Sequence, residues 1–318
     1  MNTAATESPA SMEPTALIAQ PSKLVSLFRD TVAIFKLRVT AMVVLTAWAG
    51  FHLGAVHSGI NSFNPTLLDT LLGVALVSGG SSVLNQAFER RSDAKMRRTA
   101  RRPMAAGRLG LFYGVLLGMG TIAGGSLWLA YRTNPVTGML TLLTAVTYVG
   151  IYTPLKRHTT LATFIGAFPG AMPPLIGWTA ARGSIEWPAV ALFAILFVWQ
   201  IPHFMAIAWL YREDYGRAGI HMLPVVEPDG WSTAIEALIY AILMIPVSLV
   251  PYYLHVDGRW YLATAIVLGL YYLLYTIRFF RIARSPTASE SRGYARALMK
   301  ASVIYLPLLL AVMMLNAL

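Results

Sequence analysis

Apolar residues run along this chain in long blocks, separated by short polar connections that are mostly basic. Nine blocks are long enough to cross a ~30 Å hydrocarbon core as helices, at roughly 1.5 Å per residue. They cover 38–57, 67–88, 109–131, 135–153, 161–180, 187–210, 232–254, 260–280 and 298–317. Blocks of this length predict an all-α, polytopic integral membrane protein, a bundle of about nine transmembrane helices. The fifth block carries Gly166, Gly170, Pro173, Pro174 and Gly177. A buried membrane helix tolerates such residues when its neighbours satisfy the freed backbone groups. Ahead of the blocks the chain is small and polar with no continuous apolar run, which predicts a disordered cytoplasmic tail over 1–34 rather than a cleaved signal. A single transmembrane domain over 35–318 follows it.

Composition agrees with the pattern. Apolar residues make up 56% and charged residues 12%, about half the charged share of a soluble domain. The net charge of +11 does not mark a nucleic-acid binder, because the cations sit between apolar blocks. All but Arg132, Arg182 and Arg259 of the 25 Lys and Arg fall in the tail or in every second connection. By the positive-inside rule those segments face the cytoplasm, and an odd number of spans puts the C-terminus outside. Cysteine is absent, which excludes disulfides, a thiol nucleophile and thiolate metal ligands.

The stretch NQAFERRSDAKMRRTARRP, at the basic end of the second block, changes the picture most. Asn85, Glu89 and Asp93 recur every four residues, which on a helix places three oxygen-bearing side chains on one face over roughly 12 Å. Two carboxylates and an amide suit a hard divalent cation such as Mg²⁺. Arg97, Arg98, Arg101 and Arg102 follow at once, and guanidinium groups beside a metal fit phosphate oxygens. The same arginines also fit a solvated loop that fixes topology and touches anionic lipid.

Two further segments at the same end carry unusual polar sets. One is YTPLKRHTT, with Lys156 and Arg157. The other is WQIPHFMAIAWLYREDYGRAGIHMLP, in which Gln200 and His203 lie inside an apolar block. Intramembrane polar residues mark functional sites or bond one helix to the next. His203 and Asp214 are eleven residues apart, so one unbroken helix would align them on a single face about 16 Å apart. That arrangement requires the helix to pass Pro202 unkinked and to continue beyond Glu213. Trp199, Phe204, Trp209, Tyr211 and Tyr215 either line a chamber between those two residues or anchor the helix at the interface.

At these segments the chain resembles a family. NQAFERRSDAKMRRTARRP is similar to the first Asp-rich signature of the UbiA-type intramembrane prenyltransferases. YTPLKRHTT, GAMPPLIGWTA and WQIPHFMAIAWLYREDYGRAGIHMLP together resemble the branch that farnesylates haem. The resemblance covers most of 35–318. It implies haem B and farnesyl diphosphate as substrates, Mg²⁺ as cofactor, and a bacterial-type cytoplasmic membrane. A haem A synthase or terminal-oxidase assembly partner belongs to the same implication. It further implies metal ligation by Asn85, Glu89, Asp93 and Asp214, with Asp93, Asp214 and His203 as catalytic residues. Diphosphate contacts fall to Arg98, Arg102, Lys156, Arg157, Tyr211 and Arg212, and the haem side to Trp199 and His203. The second signature departs from the family's paired carboxylates, since Arg217 and Ala218 stand four residues after Glu213 and Asp214. One dominant Mg²⁺ site is therefore expected. Ala162 replaces an Asn common in this branch. Two rival readings are a prenyltransferase for a quinone precursor and an anionic-lipid transporter. A transporter would set its polar sites near the midplane, not at one face.

Overall fold

The computed structural model describes residues 22–284 and 289–318. It is built from helices, with no strand among the described residues beyond an isolated bridge between Asp257 and Ala317. In chain order they are α1 (Lys23–Ile34), α2 (Leu37–His57), α3 (Pro65–Asp93), α4 (Leu111–Arg132) and α5 (Pro135–Val146). A π-helical stretch, Thr147–Tyr152, carries α5 into the short α6 (Thr153–Leu155), and α7 (Ala162–Arg182) and α8 (Trp187–Leu210) follow. Two small helices, α9 (Arg212–Ala218) and α10 (Leu223–Val226), precede the final three, α11 (Trp231–Tyr253), α12 (Arg259–Phe279) and α13 (Ser289–Leu315).

Among the described residues eight stretches are long and apolar enough to cross a membrane, and each contains most of one sequence block. The remaining block is α7, equally long but diluted in hydropathy by its glycines and by Pro169, Pro173 and Pro174. The protein is thus a multi-pass integral membrane helical bundle. Local signals set the helix starts. Asn64 and Asn134 each accept a hydrogen bond from the backbone three residues on and are each followed by proline, a pairing that favours a helix N-terminus.

Neighbouring helices follow one another around a ring in the order α2, α3, α4, α5, α7, α8, α11, α12, α13, and α13 closes it by touching α2. The tightest crossing is α2 against α7. A Cβ added to Gly50 would lie 1.9 Å from the Pro174 carbonyl oxygen, and one on Gly177 would lie 1.9 Å from that of Ala47. Small residues let membrane helices approach to backbone contact, where dispersion replaces the missing hydrophobic drive. The largest buried cluster draws mostly on the second half of the chain, with Trp178, Trp209, Tyr261, Tyr272 and Tyr305, and reaches Leu53, Val74 and Leu129 in the first.

Two expectations need correction. Residues 23–34, read as part of a disordered tail, form α1. Ser22 caps it, and Arg108 holds its Asp30 through two hydrogen bonds of 2.7 and 3.1 Å. This ion pair keeps the Asp30 carboxyl below its usual range. Leu24 and Phe28 stay exposed, as on an interfacial helix. The rest of the tail lies outside the described residues. The second correction concerns α8. Pro202 sits inside it without ending it, but the helix stops at Leu210 because Tyr211 turns the backbone (φ −113°, ψ 18°). The charged run Arg212–Ala218 starts a separate helix, so His203 and Asp214 do not share one helical face.

Candidate active site

The charged end of α3 carries the polar centre. Asn85, Glu89 and Asp93 are all buried on this helix, each facing a cation. The Asn85 amide oxygen accepts from Lys36 Nζ at 3.2 Å, while its nitrogen donates to Thr153 Oγ1 at 3.2 Å. Glu89 is ion-paired with Lys156, whose ammonium also lies 5.5 Å from the Tyr152 ring centre. Asp93 Oδ2 accepts from Arg102 Nη1 at 2.8 Å. Its Oδ1 is buried and unpartnered among the described residues. Arg157 reaches the same helix end, donating to Ser92 Oγ at 2.7 Å.

Secondary structure explains how distant residues converge here. The wide turn of Thr147–Tyr152 precedes Thr153 and Lys156, and such π-turns shift the face that later side chains present. Lys36 stands at the joint of α1 and α2 in the left-handed region (φ 48°). Burial among cations, Arg102 foremost and Lys156 after it, brings the Lys36 ammonium down to about 8 from its ordinary 10.5.

Beside this centre lies a small apolar cluster. Met96 from the segment after α3 packs with Tyr211, Tyr215 and Ala218 of the α8–α9 region and with Met222. Arg98 sits 4.8 Å from the Tyr211 ring centre, and the backbone N–H of His221 donates to the Lys156 carbonyl at 2.9 Å. Burial pushes the Tyr215 phenol up, against the pull of Arg98 and Lys156.

The expected residues therefore divide. Asn85, Glu89, Asp93, Arg102, Lys156 and Arg157 share the α3 centre. Asp214 lies on the separate helix α9, where its carboxylate is ion-paired with Arg217. No three His, Cys, Asp or Glu among the described residues form a metal-holding group. Arg212 lies 4.2 Å from the Trp209 ring centre and donates to the Trp209 carbonyl at 3.1 Å. Trp199 and His203 stack at 5.0 Å and both reach Ser302 of α13, Nδ1 of His203 lying 2.7 Å from its hydroxyl and Trp199 donating to its carbonyl at 2.9 Å. Gln200 lies over Gly170 and donates to the Ala167 and Leu196 carbonyls, an interhelical bond rather than a site. Sequence reasoning missed Lys36, Thr153 and Ser92. Lys36 counted only toward topology, and its left-handed joint carries no motif.

The donor set fits a hard divalent cation. Asn85, Glu89 and Asp93 supply only oxygen donors on that face, and the orphaned Oδ1 of Asp93 needs a positive or hydrogen-bonding partner.

Comparison with known proteins agrees with this arrangement. Residues 43–304 match the model of the UbiA prenyltransferase family. A protein named protoheme IX farnesyltransferase from Koribacter versatilis is 51% identical over 92% of this chain and 94% of its own length. One of the same name from Solibacter usitatus is 42% identical over 91% and 98%. Among solved structures, a digeranylgeranylglyceryl phosphate synthase superimposes with a TM-score of 0.74 at 16% identity, covering 92% of this chain and 98% of that one. A UbiA homolog from Archaeoglobus fulgidus bound to GPP and Mg²⁺ gives 0.58 at 14%, covering 89% and 99%. With its helical bundle, its polar centre at the end of α3 and a family match across most of its length, the chain belongs to the UbiA prenyltransferases.

Proposed function

We propose that this enzyme transfers a farnesyl group from farnesyl diphosphate to a vinyl group of protohaem IX (haem B), giving haem O and diphosphate, with Mg²⁺ assistance at the cytoplasmic face of a bacterial-type membrane. The observation that carries the reading is the α3 centre, where buried Asn85, Glu89 and Asp93 stand among Lys36, Arg102 and Lys156. The two relatives' shared name supports the acceptor and the prenyl chain. The Archaeoglobus homolog's GPP and Mg²⁺ support the metal.

Asn85, Glu89 and Asp93 would hold Mg²⁺, which when bound supplies neutralisation of the charge that grows on the departing diphosphate. Lys36, Arg102 and Lys156, now closed on the α3 oxygens, turn to the phosphate oxygens. Arg98 and Arg157 flank them. These groups are positioned before reaction, in a site shielded from water, where fixed charges act strongly. The apolar bundle receives the farnesyl tail. As the C1–oxygen bond breaks, C1 bonds the terminal vinyl carbon, water's oxygen joins the adjacent carbon and a proton leaves. The apolar cluster of Met96, Tyr211 and Tyr215 beside the centre would help keep bulk water from the allylic carbon. Asp214, now paired with Arg217, would join the metal set as its minor member beside one dominant Mg²⁺ site.

Asp93→Ala loses farnesyl turnover by at least two orders of magnitude, an expected size for removing electrostatic stabilisation of developing charge. Asp214→Ala loses less. Full activity in both variants, with the protein still in the membrane, overturns the site assignment.

A further inference from the structure

The seam between α8 and α13 holds a hydrogen-bond chain whose direction follows atom by atom. The Ser302 hydroxyl donates to the Met299 carbonyl at 2.7 Å, and a carbonyl only accepts. A hydroxyl has one proton, so toward His203 Nδ1, also 2.7 Å away, the Ser302 oxygen is the acceptor. Were its proton turned to Nδ1 instead, two oxygen lone pairs would face each other across the 2.7 Å to Met299. Nδ1 of His203 therefore carries the ring proton, and in a neutral imidazole that leaves Nε2 with a bare lone pair. Nε2 makes no hydrogen bond among the described residues, and it is not one of their sealed, unpartnered polar atoms. The ring is half-buried, so this nitrogen stays reachable.

The imidazole is also held in its plane. Trp199 stacks on it at 5.0 Å and 16°. The indole nitrogen of Trp199 donates to the Ser302 carbonyl at 2.9 Å, and the Trp199 carbonyl accepts from the Tyr272 hydroxyl at 3.0 Å. Fully buried Ser302 thus grips both rings, the indole through its backbone and the imidazole through its hydroxyl. Among the described residues no carboxylate contacts the imidazole, whose ring neighbours are Trp199 and Phe204. A proton taken up at Nε2 would therefore make a cation with no counter-ion, which apolar surroundings make costly. A neutral imidazole lone pair in that setting suits a metal. His203 stands seven residues before Leu210, nearly two turns, so the two share one face of α8 roughly 10 Å apart. Leu210 lines the same cavity as Tyr211 and Asp214 of the diphosphate set. The imidazole thus lies about two turns deeper than the diphosphate end, on the face that meets it.

We propose that Ser302 is a positioning residue for the acceptor: it fixes His203 as the Nδ1–H tautomer and presents Nε2 as the axial ligand of the haem B iron. The proposal rests on the haem reading above. Metal-bound histidines donate their second ring N–H to a fixed acceptor, which sets both the tautomer and the ring plane. Here the acceptor is a hydroxyl whose own proton is committed to Met299. The axial bond is a lone-pair donation, so it consumes no proton and leaves the oxidation state of the iron unchanged. Held at this depth, the porphyrin lies below the departing diphosphate, where a vinyl edge meets the allylic carbon.

The test uses purified full-length protein with haem B and compares the wild type with Ser302→Ala, Ser302→Thr and His203→Gln. Affinity is followed by absorbance titration, and ligation by the iron–imidazole stretching band in resonance Raman spectra of the ferrous complex. The wild type is expected to show the band and His203→Gln to lack it. Ser302→Ala frees Nδ1 and admits the Nε2–H tautomer, which has no lone pair for iron. The band then weakens and haem affinity falls about tenfold or more, as when a metal-bound histidine loses its supporting hydrogen bond. Ser302→Thr keeps the hydroxyl and restores both, and KM for farnesyl diphosphate stays at the wild-type value in both Ser302 variants. A wild-type complex without the band, or a band that survives in His203→Gln, overturns the ligation even where haem is farnesylated. Wild-type band and affinity in Ser302→Ala overturn the positioning role, as does an equal loss in Ser302→Ala and Ser302→Thr. Wild-type protein that prenylates another acceptor and not haem B removes the underlying reading instead.

Discussion

At the residue scale, the α3 centre joins a motif that can be read locally to partners that cannot. Asn85, Glu89 and Asp93 are legible because helix periodicity alone puts them on one face. Lys36 is not, because its bond to Asn85 links residues 49 apart in sequence and depends on a left-handed joint between α1 and α2. Its ammonium makes a pH prediction with a definite sign. Above about 8 the free enzyme loses the Lys36 proton, so affinity for a prenyl diphosphate falls as pH rises through that value. In Lys36→Arg, whose guanidinium stays charged, KM is flat over the same range; an equally steep rise there contradicts the role. Stability responds the other way. Between about 8 and 10.5 the unfolded chain keeps a proton that the folded one has lost, so this group makes stability rise with pH.

At the element scale, close crossings and helix breaks decide where side chains arrive. Gly50→Ala forces a methyl onto the Pro174 carbonyl, and overpacking of this kind costs about 1–3 kcal/mol. A lower unfolding midpoint in detergent with unchanged KM for farnesyl diphosphate is the expected result. The break at Tyr211 separates Asp214 from the face of His203. Its sequence, WLYRED, continues the helical pattern without Gly or Pro; tertiary packing of Tyr215 and Ala218 on Met96 accompanies the turn, and single-sequence patterns do not encode it. At the opposite end, the C-terminus clasps the α11–α12 connection, with Gly258 donating to the Asn316 carbonyl and Leu318 to that of Val256. Asp257 lies buried in this clasp with neither carboxyl oxygen partnered among the described residues, and burial raises it to about 8 from 3.8. A raised acid holds a proton in the folded state that the unfolded chain has lost, so its share of stability declines as pH climbs from about 4 to about 8. Asp257→Asn should remove that slope in thermal melts; an unaltered slope contradicts the assignment.

At the scale of the whole molecule, the nine blocks and their alternating basic ends were legible because a bilayer imposes length and charge rules on each helix separately. The close crossing of α2 on α7 was not, because the backbone contacts Gly50–Pro174 and Gly177–Ala47 join segments far apart in the chain. The most direct test of this account is one incubation of purified protein with haem B, farnesyl diphosphate and Mg²⁺, followed by mass analysis of the haem. Haem that gains one farnesyl and one hydroxyl group, with release of diphosphate, is the predicted result. Haem recovered unchanged while diphosphate is released, or while another acceptor gains the prenyl group, would contradict it.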